Sequence, residues 1–89
     1  MFEWDEAKSD SNLRRRGFGF EYAALIFDNP VLEKDDERKD YGERRIQAIG
    51  RVGHDILFVA YAWRGEIRRI ISARLANRKE RNAYGESFD

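Results

Sequence analysis

The sequence predicts an α+β fold with two N-terminal helices, a four-stranded antiparallel sheet and a C-terminal helix. Apolar residues recur at helical spacing in residues 1–30, whereas residues 44–75 alternate apolar and polar side chains as strands do. The turn signals GHD and RGE divide the second region into strands joined by short hairpins. A chain of 89 residues is predicted to form one domain, 1–89, with helices from both ends covering one sheet face.

A first helix is predicted within FEWDEAKSDSNLRRRGF. Asp5 suits the N-cap, because its carboxylate can accept hydrogen bonds from the free backbone N–H groups of the first turn. Arg14 to Arg16 suit the last turn, where the helix dipole favours cations, and Gly17 suits the left-handed residue that ends the helix.

A second helix of about two turns is predicted in FGFEYAALIFDNP. Phe20, Ala23, Ala24 and Phe27 recur at helical spacing and are expected to face the core. Pro30 has no backbone N–H to donate and is expected to end the helix.

Four strands and the closing helix follow. A weak strand at Val31 to Lys34 leads into a charged loop. In RRIQAIGRV, Ile46, Ala48 and Val52 alternate onto one side, which predicts a second strand. ILFVAYAW is apolar on both faces and is therefore predicted to be a central strand, and IRRIISAR is predicted to be the last one. LANRKERNAYGE is predicted to form the closing helix.

The charges divide between the two halves of the chain. The 17 basic and 17 acidic residues cancel, but residues 1–43 hold 12 acids and 7 bases, and residues 44–89 hold 5 acids and 10 bases. Most of the cations are arginines, whose planar guanidinium binds phosphate and carboxylate through two hydrogen bonds. The basic half is interpreted either as an anion-binding surface or as an ordinary solvated one.

The stretch IRRIISARLANRKERNAY carries the densest positive charge. Its single acid is Glu80, and its six cations are Arg68, Arg69, Arg74, Arg78, Lys79 and Arg81. Strict alternation places Arg68 and Arg74 on one sheet face, and Arg74, Arg78 and Arg81 have the spacing of one helix face. The closing helix is interpreted either as weakly docked with a solvated face or as the wall of a polyanion site.

Several classes of site are excluded or disfavoured. The chain has no cysteine, and its single histidine, His54, cannot supply the acid–base histidine pair that some ribonucleases use. The acids Asp35, Asp36 and Glu37 lack the spacing of a calcium loop and are interpreted as solvated. No apolar run is long enough to span a membrane, so no membrane contact and a cytoplasmic location are expected.

Motifs spread over nearly the whole chain occur together. EWDEAK with Asn12 and Gly17 stands at the start, FDNP follows the second helix, YGERR precedes IG, and IRRIISARLANRKERNAY is the most characteristic stretch. Together these motifs resemble the BrnT family of bacterial type II toxins, small proteins with a RelE-like fold. Two departures are Arg16, where histidine is expected, and Asn77, where threonine or serine is common.

The resemblance implies a ribonuclease toxin that cleaves RNA and arrests growth. It also implies a cognate antitoxin, typically a ribbon-helix-helix DNA-binding protein, that holds the toxin inactive. Since the complex of toxin and antitoxin represses the operon in this family, operator DNA is expected to be contacted only through the antitoxin. No cofactor and no metal ion are expected.

RNA cleavage by the adjacent 2′-hydroxyl needs a base for that hydroxyl, cations for the phosphate and an acid for the leaving 5′-oxygen. Glu80 is the candidate base, because it is the only acid in the basic stretch, and Lys79 or Tyr84 is the candidate acid. Arginine is a poor proton donor because its pKa exceeds about 12, so arginines are assigned to the phosphate. The catalytic candidates are Arg69, Arg74, Lys79, Glu80, Arg81 and Tyr84.

Four further residues are candidates for RNA binding: Trp63, Arg64, Arg68 and Arg78. Trp63 stands beside Arg64 at a strand end and is the best candidate for stacking on a base. Strict alternation places Arg69 opposite Arg68 and Arg74, although Arg69 matches the family pattern. Either a β-bulge or a twist of the strand brings Arg69 to the face of Arg74, or Arg69 pairs with an acid of the first helix.

Two other functions are compatible with the same residues. A non-catalytic RNA-binding module would need the basic surface but not Glu80. A protein-interaction adaptor would use the basic surface only to receive an acidic partner.

Overall fold

The structure, a computed structural model, describes residues 1–88 as a five-stranded sheet with helices on both of its faces. The strands are β1 (Phe2–Trp4), β2 (Val31–Asp35), β3 (Arg45–Val52), β4 (Asp55–Arg64) and β5 (Ile67–Leu75). The helices are α1 (Glu6–Arg16), α2 (Phe20–Ala23), which continues as a 3₁₀ helix (Ala24–Asp28), and α3 (Arg78–Phe88). The predicted hairpins at GHD and RGE are confirmed, and β2 to β5 form an antiparallel meander.

The sheet differs from the predicted four-stranded antiparallel one. Its order is β1-β5-β4-β3-β2, with β4 in the predicted central place, and β1 runs parallel to β5. Phe2 and Trp4 pair with Arg68 and Ile70, so residues assigned to the first helix form a fifth strand instead. Three residues are too few to show alternation, and their partner lies near the other end of the chain.

The predicted ends of α1 are confirmed. The Asp5 carboxylate accepts hydrogen bonds from the backbone N–H groups of Ala7 and Lys8, at 2.9 and 3.3 Å. Gly17 follows the helix with φ 88°, a left-handed conformation that glycine adopts without strain because it has no Cβ. These contacts are local, which is why the sequence alone predicts them.

One face of the sheet, the core face, is covered by α1, α2 and the 3₁₀ helix. Gly50 lets the 3₁₀ helix approach β3 closely, because a Cβ at this position would lie 2.6 Å from the Cβ of Ile26. The predicted inward side of the second helix is confirmed. The buried core residues are Phe20, Ala23, Ala24, Ile26, Ile46, Ala48, Leu57, Val59, Tyr61, Ile70 and Ala73.

α3 lies on the opposite face, which corrects the prediction that all the helices cover a single face. Leu32 of β2, Ile49 of β3 and Phe58 of β4 lie side by side on this second face. Their apolar row needs cover, and α3 packs against β2 and β3 to supply it. Tyr84 of α3 is buried there, and its hydroxyl donates to the Pro30 carbonyl at 2.8 Å.

Candidate active site

A β-bulge in β5 determines which arginines share a sheet face. Ala60 of β4 lies opposite Ser72, but the next residue, Tyr61, lies opposite Ile70. Ile71 is therefore an extra residue on β5, and the alternation of side chains reverses across it.

Because of the bulge, Arg69 and Arg74 lie on the face that carries α3, and Arg68 lies on the core face. The prediction that grouped Arg68 with Arg74 was wrong, since it assumed unbroken alternation. The bulge that could reconcile Arg69 with Arg74 is confirmed. Arg69 also pairs with an acid: its Nη1 donates to Glu3 Oε2 at 2.7 Å, although Glu3 belongs to β1 rather than to the first helix.

The sheet face that carries α3 is rich in cations, and we call it the basic face. The strand register places on it Lys34, Arg45, Arg51, Arg64, Arg69 and Arg74. On β4, the small side chains of Ala60 and Ala62 lie between the long side chains of Phe58 and Arg64. The Arg45 guanidinium lies 3.9 Å from the centre of the Tyr41 ring. Cations with aromatic rings between them suit the backbone and bases of a single-stranded nucleic acid.

Arg74 and Glu80 meet on the basic face where β5 turns into α3. Arg74 Nη1 and Nη2 donate to the two carboxylate oxygens of Glu80 at 2.8 and 2.9 Å. The guanidinium also lies 4.2 Å from the centre of the Phe58 ring. The hydrogen bonds from Arg74 hold the pKa of Glu80 below its ordinary value, against the opposing effect of burial. In this arrangement Glu80 is an ionised carboxylate and a weak base.

Glu80 also holds the start of α3. The Glu80 N–H donates to Asn77 Oδ1, and the Asn77 N–H donates to Glu80 Oε1, both at 2.8 Å. This reciprocal pair is a capping box. The departure from the family at Asn77 preserves the cap, because asparagine is as good an N-cap residue as serine or threonine. Glu80 is therefore positioned from two sides, by the helix start and by Arg74.

A groove of about 420 Å³ lies between α3 and the basic face, beside Glu80. Its apolar floor consists of Leu32, Ile49, Phe58 and Ala83, and its polar walls carry Glu33, Lys34, Gln47, Asn77, Lys79 and Glu80. Lys34 and Lys79 are exposed, and neither forms an ion pair with a carboxylate of residues 1–88, although Lys34 is near enough to Glu80 to help lower its pKa. The groove thus combines two ammonium groups with a carboxylate, and an arginine lies beside it; together these groups can bind a phosphate and transfer protons.

Lys79 and Glu80 line this groove, and Arg74 lies beside it through its pair with Glu80, whereas the other catalytic candidates do not line it. Tyr84 is buried between α3 and the sheet, and its hydroxyl donates a hydrogen bond to the backbone carbonyl of Pro30. Arg81 is exposed, and its Nη1 donates to the carbonyl of Ala76 at 2.8 Å. Arg69 lies on the basic face away from the groove, where it is paired with Glu3 of β1.

The predicted cationic helix face of Arg74, Arg78 and Arg81 does not exist as a single helical surface. β5 continues through Leu75, and Arg74 is paired with Phe58 in the sheet, so it is an extended residue. Arg78 is the first residue of α3 and is exposed. The helical spacing of these three arginines runs across the end of β5, which the sequence pattern does not reveal.

The aromatic stacking candidate lies across the sheet from the groove. Trp63 and Arg68 are on the core face, where the Arg68 guanidinium lies 4.2 Å from the Phe27 ring and 4.6 Å from the Trp63 ring. Trp63 is 37% exposed, so it can contact a ligand, but on the face opposite to Glu80. Arg64 lies on the basic face.

Several residues that line the groove were not among the candidates from the sequence, and they include Lys34, Gln47 and Phe58. Lys34 and Gln47 lie opposite each other on β2 and β3, a pairing that depends on strand register. Phe58 could have been found, because a strand that is apolar on both faces predicts a second packed face. The capping box could also have been found, since asparagine three residues before glutamate is readable in Asn77 and Glu80.

Residues 1–88 offer little support for other kinds of site. No group of three His, Cys, Asp or Glu side chains in this range could hold a metal ion. None of the helices there is long and apolar enough to cross a bilayer. A second groove of about 550 Å³ beside α1 contains the exposed Leu13 and Leu75, but none of the catalytic candidates lines it.

Comparison with known proteins identifies the family. Residues 4–80 match the sequence model described as ribonuclease toxin, BrnT, of type II toxin-antitoxin system. The match spans all four strands of the meander and reaches Glu80, so Arg74 and Lys79 lie within it. A search of curated proteins found no match. A toxin of such a system has a cognate antitoxin as its partner. The chain belongs to the BrnT family of ribonuclease toxins of type II toxin–antitoxin systems.

Proposed function

We propose that the protein is an endoribonuclease that cleaves RNA in the groove between α3 and the basic face, without a metal ion, by attack of the 2′-hydroxyl. The observation that carries this proposal is the Arg74 fork, which binds a planar anion through two hydrogen bonds. In the structure this anion is the Glu80 carboxylate, and Lys34 and Lys79 lie on the same groove. A phosphate fits the arginine fork in the same bidentate way and can replace the carboxylate.

Exchange of partners at Arg74 couples RNA binding to activation of the base. While it is paired, Glu80 has a lowered pKa and accepts protons poorly. When Arg74 turns to an RNA phosphate, Glu80 loses the largest cause of that shift, and its pKa rises. The Asn77 N–H still holds the carboxylate beside the phosphate, where it can take the proton of the 2′-hydroxyl.

The groove residues divide the remaining steps. Charge develops on the phosphate in the transition state, and Lys34, Arg74 and Lys79 stabilise it, as a metal ion does in other nucleases. Lys79 is the candidate that protonates the leaving 5′-oxygen. Tyr84 is a weaker candidate, because its hydroxyl would first have to leave the Pro30 carbonyl.

The outer cations extend this site along the substrate. Arg64 and Arg69 lie on the basic face beyond the groove, where they contact neighbouring phosphates of the RNA strand. Arg78 and Arg81 are exposed on α3 and add to the attraction for the strand.

Neutralisation by the antitoxin follows from the same surface. Acidic side chains of the antitoxin, a ribbon-helix-helix protein as the family resemblance implies, pair with Arg74, Arg78 and Arg81, and the antitoxin adds apolar contacts to α3 and excludes RNA. An inhibitory interface of this kind buries about 2,000 Å² or more. A structure of the complex that leaves residues 68–84 exposed to solvent would contradict this part of the proposal.

The test is cleavage of single-stranded RNA by the purified protein in EDTA. Attack by the 2′-hydroxyl leaves a 2′,3′-cyclic phosphate and a 5′-hydroxyl, which mass spectrometry identifies. RNA with 2′-O-methyl groups should bind but resist cleavage. Activity that disappears in EDTA and returns with Mg²⁺ would count against the mechanism. A non-catalytic RNA-binding module would bind both RNAs and cleave neither, and an adaptor for acidic proteins would bind neither.

A further inference from the structure

The floor of the groove is a row of apolar side chains that suits a flat ligand. Leu32 of β2 lies opposite Ile49 of β3, and Ile49 lies opposite Phe58 of β4. All three are half-buried, and Ala83 of α3 closes the groove from above. The Arg74 guanidinium is 4.2 Å from the centre of the Phe58 ring. A phosphate bound by Arg74 therefore lies next to a surface that accepts an aromatic ring.

Gln47 supplies a polar group to this apolar floor. It lines the groove from β3, where it is paired with Lys34 of β2, and it is half-buried. Its side-chain amide makes no hydrogen bond to any residue of the described chain, 1–88. The amide presents one donor and one acceptor side by side, and glutamine uses this arrangement to form two hydrogen bonds with adenine.

We propose that the groove binds one unstacked adenine of the RNA, next to the phosphate that is cleaved. The row of Leu32, Ile49 and Phe58 contacts the flat face of the base, and Gln47 reads its edge. This site rests on the proposed function, since the adjacent phosphate is the one held by Arg74. Proteins commonly recognise single-stranded RNA in this way, by splaying a base onto an aromatic side chain and bonding to its edge. The volume of about 420 Å³ lies in the range of small-molecule sites.

The experiment compares oligouridine RNA with and without one internal adenine, both for binding and for cleavage. 2′-O-methyl versions of the two RNAs report binding alone. The wild-type protein is expected to bind the adenine RNA about tenfold more tightly and to cut beside the adenine. Gln47→Leu keeps the size of the side chain and should abolish this preference while it retains affinity for oligouridine. Ser72→Ala changes an exposed residue of β5, two strands away from Gln47 and outside the groove, and should retain the preference.

The outcomes separate the adenine site from the ribonuclease activity. Equal affinity for the two RNAs, or a preference that survives Gln47→Leu, overturns the adenine site. Cleavage without base preference overturns it as well, while the ribonuclease proposal stands. Adenine-selective binding without cleavage supports the site and overturns the ribonuclease proposal.

Discussion

Glu80→Gln replaces one carboxylate oxygen with an amide and removes a negative charge from the groove. Glutamine can still accept the hydrogen bond from the Asn77 N–H, so the capping box is preserved. The ionic pair with Arg74 and the basicity of the carboxylate are lost. The side chains of Arg74 and Glu80 are 36% and 16% exposed, and solvent screens their attraction. We therefore expect the free energy of unfolding to fall by about 1 kcal/mol, the upper end for an exposed pair.

This loss is small beside the effect expected on catalysis. A decrease of about 1 kcal/mol lowers the Tm of a domain of this size by roughly 4–8 °C. Domains are typically stable by about 5–15 kcal/mol, so the variant stays folded under assay conditions. If Glu80 is the base, cleavage slows about a hundredfold or more, which is about 2.7 kcal/mol of activation free energy. RNA affinity should stay equal or rise, because Arg74 no longer pairs with an internal carboxylate.

The assay measures Tm, RNA binding and cleavage rate on one preparation of each variant, and growth arrest in cells. Glu86→Gln is the matched control, because it removes the same charge from an exposed position of α3 outside the groove. It should match the wild type in all four measurements. A folded Glu80→Gln protein that cleaves at the wild-type rate would refute the role of Glu80 as base, and Lys79 would be the next residue to replace.

Three other changes test separate parts of the structure. Arg74→Ala should slow cleavage and weaken RNA binding. The slope of log binding constant against log salt concentration should become shallower by about one for duplex RNA and by less for single strands. The control Arg14→Ala, which changes an exposed residue of α1, should leave this slope unchanged. Because the pKa of Glu80 is lowered in the folded state, its contribution to stability is complete above about pH 4.5 and disappears as the pH falls below that value. The Tm of the wild type should therefore fall more steeply with decreasing pH than the Tm of Glu80→Gln. Parallel curves of Tm against pH would contradict the stabilising pair of Arg74 and Glu80. Gly50→Ala should destabilise the protein by about 1–3 kcal/mol, because the new Cβ would lie 2.6 Å from the Cβ of Ile26. An unchanged Tm would show that the 3₁₀ helix moves away from β3 at no cost in stability.

Local interactions could be predicted from the sequence, because their partners are near neighbours in the chain. The Asp5 cap and the Gly17 stop each depend on a few adjacent residues. The hairpins at GHD and RGE depend on short turns between apolar strands, and they were predicted for the same reason. The basic character of the β5–α3 corner was also readable, since composition alone reveals it.

Features that depend on distant pairing could not be predicted. The strand at Phe2–Trp4 is defined by its partner on β5, and the bulge at Ile71 is visible only against β4. The bulge in turn decides that Arg69 rather than Arg68 shares a face with Arg74. The charge pattern of the sequence therefore indicated the region of the candidate site. Which arginines lie on which sheet face could be determined only from the strand register.

The parallel pairing of β1 with β5 has a consequence for the order of folding. Closing the chain between Phe2 and Arg68 costs more entropy than closing a hairpin, since each doubling of a loop adds about 0.6 kcal/mol. The meander of β2 to β5 is therefore expected to form first and β1 to dock last. Until β1 docks, the outer edge of β5 has unpaired backbone groups that can pair with another chain. Docking of β1 is expected to cover this edge and to bring Glu3 to Arg69, so that the basic face is completed in the final step of folding.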